Sequence, residues 1–260
     1  MENIGQALII GVVEGLTEFL PVSSTGHMIL TAELLRMEHT DFLKTFEISI
    51  QFGAILAVIC LYWRLLFTNI TMLKKIIVAF IPTGLLGFAF YGVIKNYLLG
   101  ASSVVIGALF FGGIAIIALE MLFKNKPAKT KSLSEISYPQ TLIIGTVQAL
   151  ALIPGVSRSA ATILGGLALR IDREAIVVFS FLLAIPTMGA ATAYDLFKSS
   201  LIISQQELLF LAVGFTVSFF VAIIAVKFFL KFIQSYTFIP FGIYRLVLAL
   251  VWVYCFGFGR

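Results

Sequence analysis

The sequence predicts an all-α integral membrane protein, with six transmembrane helices plus two re-entrant broken-helix hairpins in an inverted repeat. Three observations carry this expectation. Of 260 residues, 60% are hydrophobic and only 12% charged, with a mean hydropathy of +1.06, whereas a soluble domain sits near half apolar and a quarter charged. Six apolar runs approach the ~20 residues that a hydrocarbon core of about 30 Å requires. Two further apolar stretches break at a proline, carry ionisable groups at depth, and match one another.

Residues 4–13 are apolar, enough for about 15 Å of helix, and then meet Glu14 and Glu18. That segment reaches half-way across, breaks at Pro21 and returns through Ser23 to Leu35. Irregular backbone at such depth is tolerated only where other protein buries it. The spans expected next cover residues 46–63, 76–94 and 102–123, then 175–197, 208–230 and 238–256, with the second hairpin at 141–169 between the third and fourth. The linker 124–139 (KNKPAKTKSLSEISYP) holds four lysines and two prolines. It is too polar for the bilayer and is expected in the cytoplasm.

Alternating sides from that linker places eleven cations inside, namely Arg64, Lys74, Lys75, the four linker lysines, Arg170, Arg173, Lys227 and Lys231. Five fall outside: Arg36, Lys44, Lys95, Lys198 and Arg260. The bias puts both termini outside, so the first hairpin enters from outside and the second from the cytoplasm. One membrane domain, 1–260, then divides into repeat one (1–123), the linker, and repeat two (140–260). A shift of 134 lays Gly11 to Leu30 on Gly145 to Leu164 with seven identities in twenty. It pairs Ser23 with Ser157 and Glu14 with Gln148, while Glu18 meets Leu152 and His27 meets Ala161. The halves have divided the labour.

Other classes drop away. The formal charge of +5 forms no basic stripe, so no nucleic acid is expected. Cys60 and Cys255 lie inside apolar runs and read as inert buried thiols. Glu2 precedes a short apolar run without a basic n-region or cleavage site, so no removable signal peptide is expected. No P-loop, dinucleotide fingerprint or Cys/His metal spacing occurs.

The chemistry sits in the hairpins. Glu14 and Glu18, four apart, share a helix face, where two like charges repel unless a proton, a metal ion or another cation separates them. A divalent cation with oxygen ligands suits the pair; an interhelical hydrogen-bonded staple is the plainer alternative. Past Pro21, one of Ser23, Ser24 or Thr25 would cap the restarting helix, whose free N–H groups attract anions. Capping alone is again the plainer alternative. A hydroxyl becomes a nucleophile only beside a base, which Glu18 or His27 could supply; the other histidine, His39, lies in a polar loop. The second hairpin turns at Pro154 and Gly155 and sets Ser157, Ser159 and Thr162 around Arg158. A guanidinium matches phosphate oxygens at two points and needs an anion at membrane depth. Either it meets a substrate phosphate or it neutralises Glu14 or Glu18 at rest, and a phosphate could displace that pair. Arg245, next to Tyr244, is expected to pair structurally with Glu47, Glu120 or Asp195. Gln51 can bond across helices, and Gly112-Gly113 and Gly165-Gly166 permit close helix approach.

The runs EGLTEFLPVSSTGH (Glu14 to His27) and PGVSRSAAT (Pro154 to Thr162) closely resemble the two diagnostic motifs of the undecaprenyl pyrophosphate phosphatase family, membrane enzymes also known for bacitracin resistance. The resemblance runs nearly end to end. It implies a hydrolase of the bacterial plasma (inner) membrane that converts undecaprenyl pyrophosphate at the outer face to the monophosphate and inorganic phosphate, recycling the carrier for cell-wall synthesis. By the same resemblance Glu14 and Glu18 are essential acids that hold a divalent cation, Mg or Ca, and move protons, and Arg158 clamps the pyrophosphate. Ser24 is the implied nucleophile, with His27 as proton shuttle or rival attacking group and water as a third choice. Ser23, Thr25, Ser157, Ser159 and Thr162 are implied phosphate binders. Bacitracin is expected to compete for the substrate rather than bind the protein, and a homodimer is compatible with the sequence. The rival class is an inverted-repeat transporter or flippase of phosphate or lipid phosphate. Against it, the Glu-Glu-Ser-His group on one hairpin is a larger proton-transfer set than anion transport needs.

Overall fold

The computed structural model describes residues 1, 3–38, 40–90, 92, 102–124, 126–198 and 203–257, without the side chains of Asp195, Leu196 and Lys198. Expectations placed on Glu2, His39, Ile94, Lys95 and Arg260, and on the Asp195 and Lys198 side chains, lie outside this part. Among the described residues the chain forms ten α-helices: α1 Ile4–Thr17, α2 Ser24–Leu34, α3 Asp41–Thr68, α4 Ile70–Ala89, α5 Ser102–Phe123, α6 Tyr138–Gln148, α7 Arg158–Ala168, α8 Arg173–Lys198, α9 Gln205–Ser235 and α10 Ile239–Phe256.

Polar caps set the helix starts. Asn3 accepts the Gln6 amide at 3.0 Å to open α1, and Asn69 both ends α3 and caps α4, so one residue turns the chain. Ser137 with Gln140 and Ser204 with Glu207 form reciprocal capping boxes at α6 and α9. Six helices, α3, α4, α5, α8, α9 and α10, are long and apolar enough to cross a bilayer, as expected. Three of them, α3, α8 and α9, extend past the apolar runs at both ends; α3, for instance, begins at Asp41 because Thr40 supplies a cap there. Large apolar side chains such as Phe67, Leu85, Phe111 and Phe220 stay exposed on their outer faces. Cys60 and Cys255 are exposed as well, which corrects the expectation of buried thiols. Hydropathy alone does not separate a protein-facing from a lipid-facing position.

The two hairpins share one backbone device. Ser23 and Ser157 have φ of 74° and 77°, and Arg36 and Arg170 have 50° and 60°. These four are the positive-φ residues other than glycine among the described residues, and each pair is separated by the same 134 residues. Ser23 Oγ accepts the Gly26 amide and Ser157 Oγ the Ala160 amide; the amides of Met37 and Ile171 reach back to Ala32 and Gly166. The packing partners are exchanged between halves. α1 packs on α9 and α6 on α4, and each contact needs a glycine: a Cβ on Gly11 would stand 2.8 Å from the Gly214 carbonyl oxygen, and one on Gly145 would strike that of Ala79.

Arg245 binds the two breaks together. It is 0% exposed, and its guanidinium donates to the carbonyls of Pro21 (3.3 Å), Gly155 (2.9 Å) and Val156 (3.0 Å) in the hairpins and of Ala108 (2.8 Å) and Leu109 (3.3 Å) in α5. Gly112 has no Cβ to block the approach. This corrects the expected pairing with Glu47, Glu120 or Asp195: Glu120 is taken by Arg173. A proline-broken helix leaves carbonyls without an amide donor, and the five N–H groups of one guanidinium fit that need.

The linker is folded rather than merely polar. Lys129 N donates to the Arg170 carbonyl at 2.8 Å and Asp172 N to that of Thr130 at 2.9 Å. Ile136 is buried in a cluster with Met72, Ile144 and Ile171.

Candidate active site

α2 starts at Ser24 and α7 at Arg158, positions separated by the repeat shift. In both hairpins the left-handed serine just before the helix turns its side chain onto the third residue ahead and leaves the first amides of the helix without an intrahelical acceptor. Both starts line a cavity of about 160 Å³. Its wall includes Glu18, Ser23, Ser24 and Thr25 from the first hairpin, Gln148, Pro154, Gly155, Ser157 and Arg158 from the second, and Gln51, Thr83, Thr187 and Met188.

The central group is short and direct. The Ser24 hydroxyl donates to Glu18 Oε2 at 2.5 Å, and Arg158 Nη2 donates to Glu18 Oε1 at 2.9 Å. The guanidinium also donates through Nη1 to the Ser180 carbonyl at 2.7 Å and lies 5.7 Å over the Phe19 ring, while its Nε has no acceptor. One carboxylate thus holds a hydroxyl on one oxygen and a cation on the other. A hydroxyl so placed can lose its proton to the carboxylate as it attacks, and the cation beside it can meet the charge that develops.

Of the expected site residues, Glu18, Ser23, Ser24, Thr25, Ser157 and Arg158 share the cavity. The others stand behind it. Glu14 is fully buried one turn below Glu18, with neither carboxylate oxygen hydrogen-bonded to any described residue. Ser159 donates to the Phe19 carbonyl at 3.0 Å, joining the two hairpins. The Thr162 hydroxyl meets Ser180 Oγ at 2.5 Å, so Ser159 and Thr162 spend their hydroxyls inside the fold and support Arg158. His27 turns to α10: Nδ1 meets the Ser23 carbonyl and Nε2 the Tyr244 hydroxyl, both at 2.7 Å, with the two rings stacked.

Residues 7–251 match the family described as bacitracin resistance protein BacA. The chain belongs to this family. Proteins named undecaprenyl-diphosphatase are similar over nearly their whole length. The one from Wolinella succinogenes is 54% identical over 252 residues, covering 97% of this chain and 98% of that protein. One from Campylobacter jejuni is 49% identical over 260 residues (100% and 96%), and that of Aquifex aeolicus is 48% identical over 253 (97% and 98%). Membership agrees with the six apolar helices, and the chain is a multi-pass membrane protein.

Sequence reasoning missed three residues of the BacA site: Thr83, Thr187 and Ser180. Thr83 and Thr187 follow Pro82 and Pro186 inside apolar spans, in the repeated triplet Ile-Pro-Thr. A hydroxyl beside a helix-breaking proline at membrane depth was the available signal. Ser180 had no such mark.

Proposed function

We infer that this protein is an undecaprenyl-diphosphatase, hydrolysing undecaprenyl pyrophosphate to undecaprenyl phosphate and inorganic phosphate and so returning the lipid carrier to cell-wall synthesis. The carrying observation is Glu18 shared between the Ser24 hydroxyl and Arg158, where two helix starts meet in one cavity.

The pyrophosphate enters against the α2 and α7 N-termini, whose amides and positive dipole ends favour its charge. Arg158 turns part of its fork from Glu18 to the phosphate oxygens. Ser24 Oγ attacks the terminal phosphorus while Glu18 accepts the hydroxyl proton, and the lipid monophosphate departs. Glu14 and Glu18 supply hard oxygen donors on one helix face, and the unpaired buried carboxylate of Glu14 fits a divalent cation, Mg or Ca. When bound, such an ion neutralises charge on the phosphoryl group. His27, held between Ser23 and Tyr244, orients the start of α2.

The hairpins are re-entrant and the two halves an inverted repeat. α1 has 14 residues and α2, α6 and α7 have 11 each, so none exceeds about 21 Å, short of a ~30 Å core. The linker 124–139 lies in the cytoplasm and both termini outside, supported by eleven cations against five. The site then faces the outer leaflet, where bacitracin competes for the lipid pyrophosphate.

The test is phosphate release from a C55 or C15 isoprenyl pyrophosphate by purified protein in detergent, with and without EDTA, for wild type and Ser24→Ala. Metal-dependent release that the substitution abolishes is expected. Release that survives Ser24→Ala moves the attack to His27 or water, and no release from wild type under any metal sinks the enzyme reading.

A further inference from the structure

Gln148 is left unused by this chemistry. It closes α6, is 0% exposed, lines the cavity, and occupies in the second hairpin the position of Glu14 in the first. Its amide nitrogen donates to the hydroxyls of Thr83 at 2.9 Å and Thr187 at 3.1 Å. Neither hydroxyl has a proton to give back, because Thr83 donates to the Gly145 carbonyl at 2.7 Å and Thr187 to that of Leu183 at 2.8 Å. Each turns only lone pairs toward the amide. A reversed amide would set its oxygen against two acceptors, so the network fixes which end faces where. What remains is Oε1, buried and without a donor among the described residues.

In a cavity that takes pyrophosphate, that oxygen cannot face the substrate's own oxygens, which are acceptors too. It requires a donor, and water is the donor that hydrolysis consumes. We propose that Gln148 Oε1 positions the water that hydrolyses phosphorylated Ser24, an assignment that rests on Ser24 being the nucleophile. The water oxygen bonds to phosphorus as the bond from Ser24 Oγ to phosphorus breaks. The electron pair returns to Oγ, which recovers the proton held by Glu18. One water proton stays on the attacking oxygen, directed at Oε1, and the other passes to a phosphoryl oxygen, so the product leaves as dihydrogen phosphate. An amide suits this task because the proton it holds is never removed. No basicity is needed, only direction.

The experiment is rapid mixing of isoprenyl pyrophosphate, labelled on its terminal phosphate, with wild type, Gln148→Leu, Thr187→Val and Thr187→Ser. Lipid monophosphate, inorganic phosphate and label on Ser24 are followed together. Gln148→Leu is expected to release one equivalent of lipid monophosphate in a burst and then turn over about 100-fold more slowly, with KM lowered by a similar factor, kcat/KM unchanged and label held on Ser24. Thr187→Val should show a weaker form of the same trap, because the Gln148 amide then keeps only the Thr83 hydroxyl as its acceptor, and Thr187→Ser should restore turnover. Wild-type kinetics in Gln148→Leu, or equal slowing of both products without label on Ser24, overturns the assignment. Recovery at saturating magnesium also overturns it, making Gln148 a metal ligand. Full activity of Ser24→Ala, run alongside, would instead remove the nucleophile on which the assignment rests.

Discussion

The two hairpins share their turn geometry and differ in chemistry. Ser23 and Ser157 adopt one left-handed conformation, and Arg36 and Arg170 another, yet the side chains that follow the shared turn are a hydroxyl, Ser24, in one half and a cation, Arg158, in the other. One turn and more upstream, Glu14 matches Gln148, and Glu18 matches Leu152. The lesson is that one turn geometry, used twice, points two helix starts at one volume. The side chains on the two sides differ, and the proposed mechanism assigns proton transfer to one and charge clamping to the other. Neither half holds a complete site. Glu18 spans the division, because its two oxygens bind Ser24 from its own hairpin and Arg158 from the other.

The largest expected effect comes from cutting that link. Arg158→Ala should lower kcat/KM by about 1,000-fold or more, as loss of a cation that meets phosphoryl charge does, with protein yield in detergent unchanged. Glu18→Gln should cost a similar factor because an amide accepts no proton from Ser24. Wild-type activity of Arg158→Ala would dissolve the division of labour. Next comes Glu14→Gln, which makes the first hairpin copy the second at this position. It should lower kcat by about 100-fold at limiting magnesium and far less at saturating metal. A loss independent of metal would return Glu14 to a structural part.

Much of this division was legible in the sequence and some was not. The prolines Pro21 and Pro154 and the serines after them identified both breaks, together with Glu14 and Glu18 ahead of the first and Arg158 past the second, because proline and charge inside an apolar run are costly without a purpose. The destinations of the side chains were less visible. Arg245 was expected to seek a carboxylate, since pairwise charge logic ignores backbone carbonyls that only a broken helix leaves bare. Ser159 and Thr162 were implied as phosphate ligands by the family resemblance, while in the structure their helix phase turns them to Phe19 and Ser180. Local spacing gives the face of a helix, and only tertiary packing says what that face meets.

Arg245 makes the comparison testable as structure rather than chemistry. Arg245→Ala would leave the carbonyls of Pro21, Gly155 and Val156 without donors in both hairpins at once. A loss of roughly 3–5 kcal/mol in unfolding free energy is expected from orphaned buried groups and the emptied volume, read as a lower Tm in detergent. At a temperature where the variant is folded, KM for the lipid pyrophosphate should stay within a few-fold of wild type. A large KM change with an unaltered Tm would instead bring Arg245 to the substrate.

The smallest expected effect falls on His27, whose counterpart in the other hairpin is Ala161. Nδ1 faces a carbonyl, so in the neutral ring that nitrogen carries the proton, and Nε2 accepts from Tyr244. Both nitrogens are therefore engaged by groups other than Glu18 or Ser24. Tyr244→Phe removes one hydrogen bond worth about 1 kcal/mol and should lower kcat no more than several-fold, while His27→Ala, which also frees the Ser23 carbonyl, should cost about tenfold. Ser24→Ala should cost far more than either. The opposite ranking, with His27→Ala inactive and Ser24→Ala partly active, would mean that the imidazole leaves Tyr244 to attack phosphorus itself, and the asymmetry between the hairpins would then rest on position 27 rather than position 24.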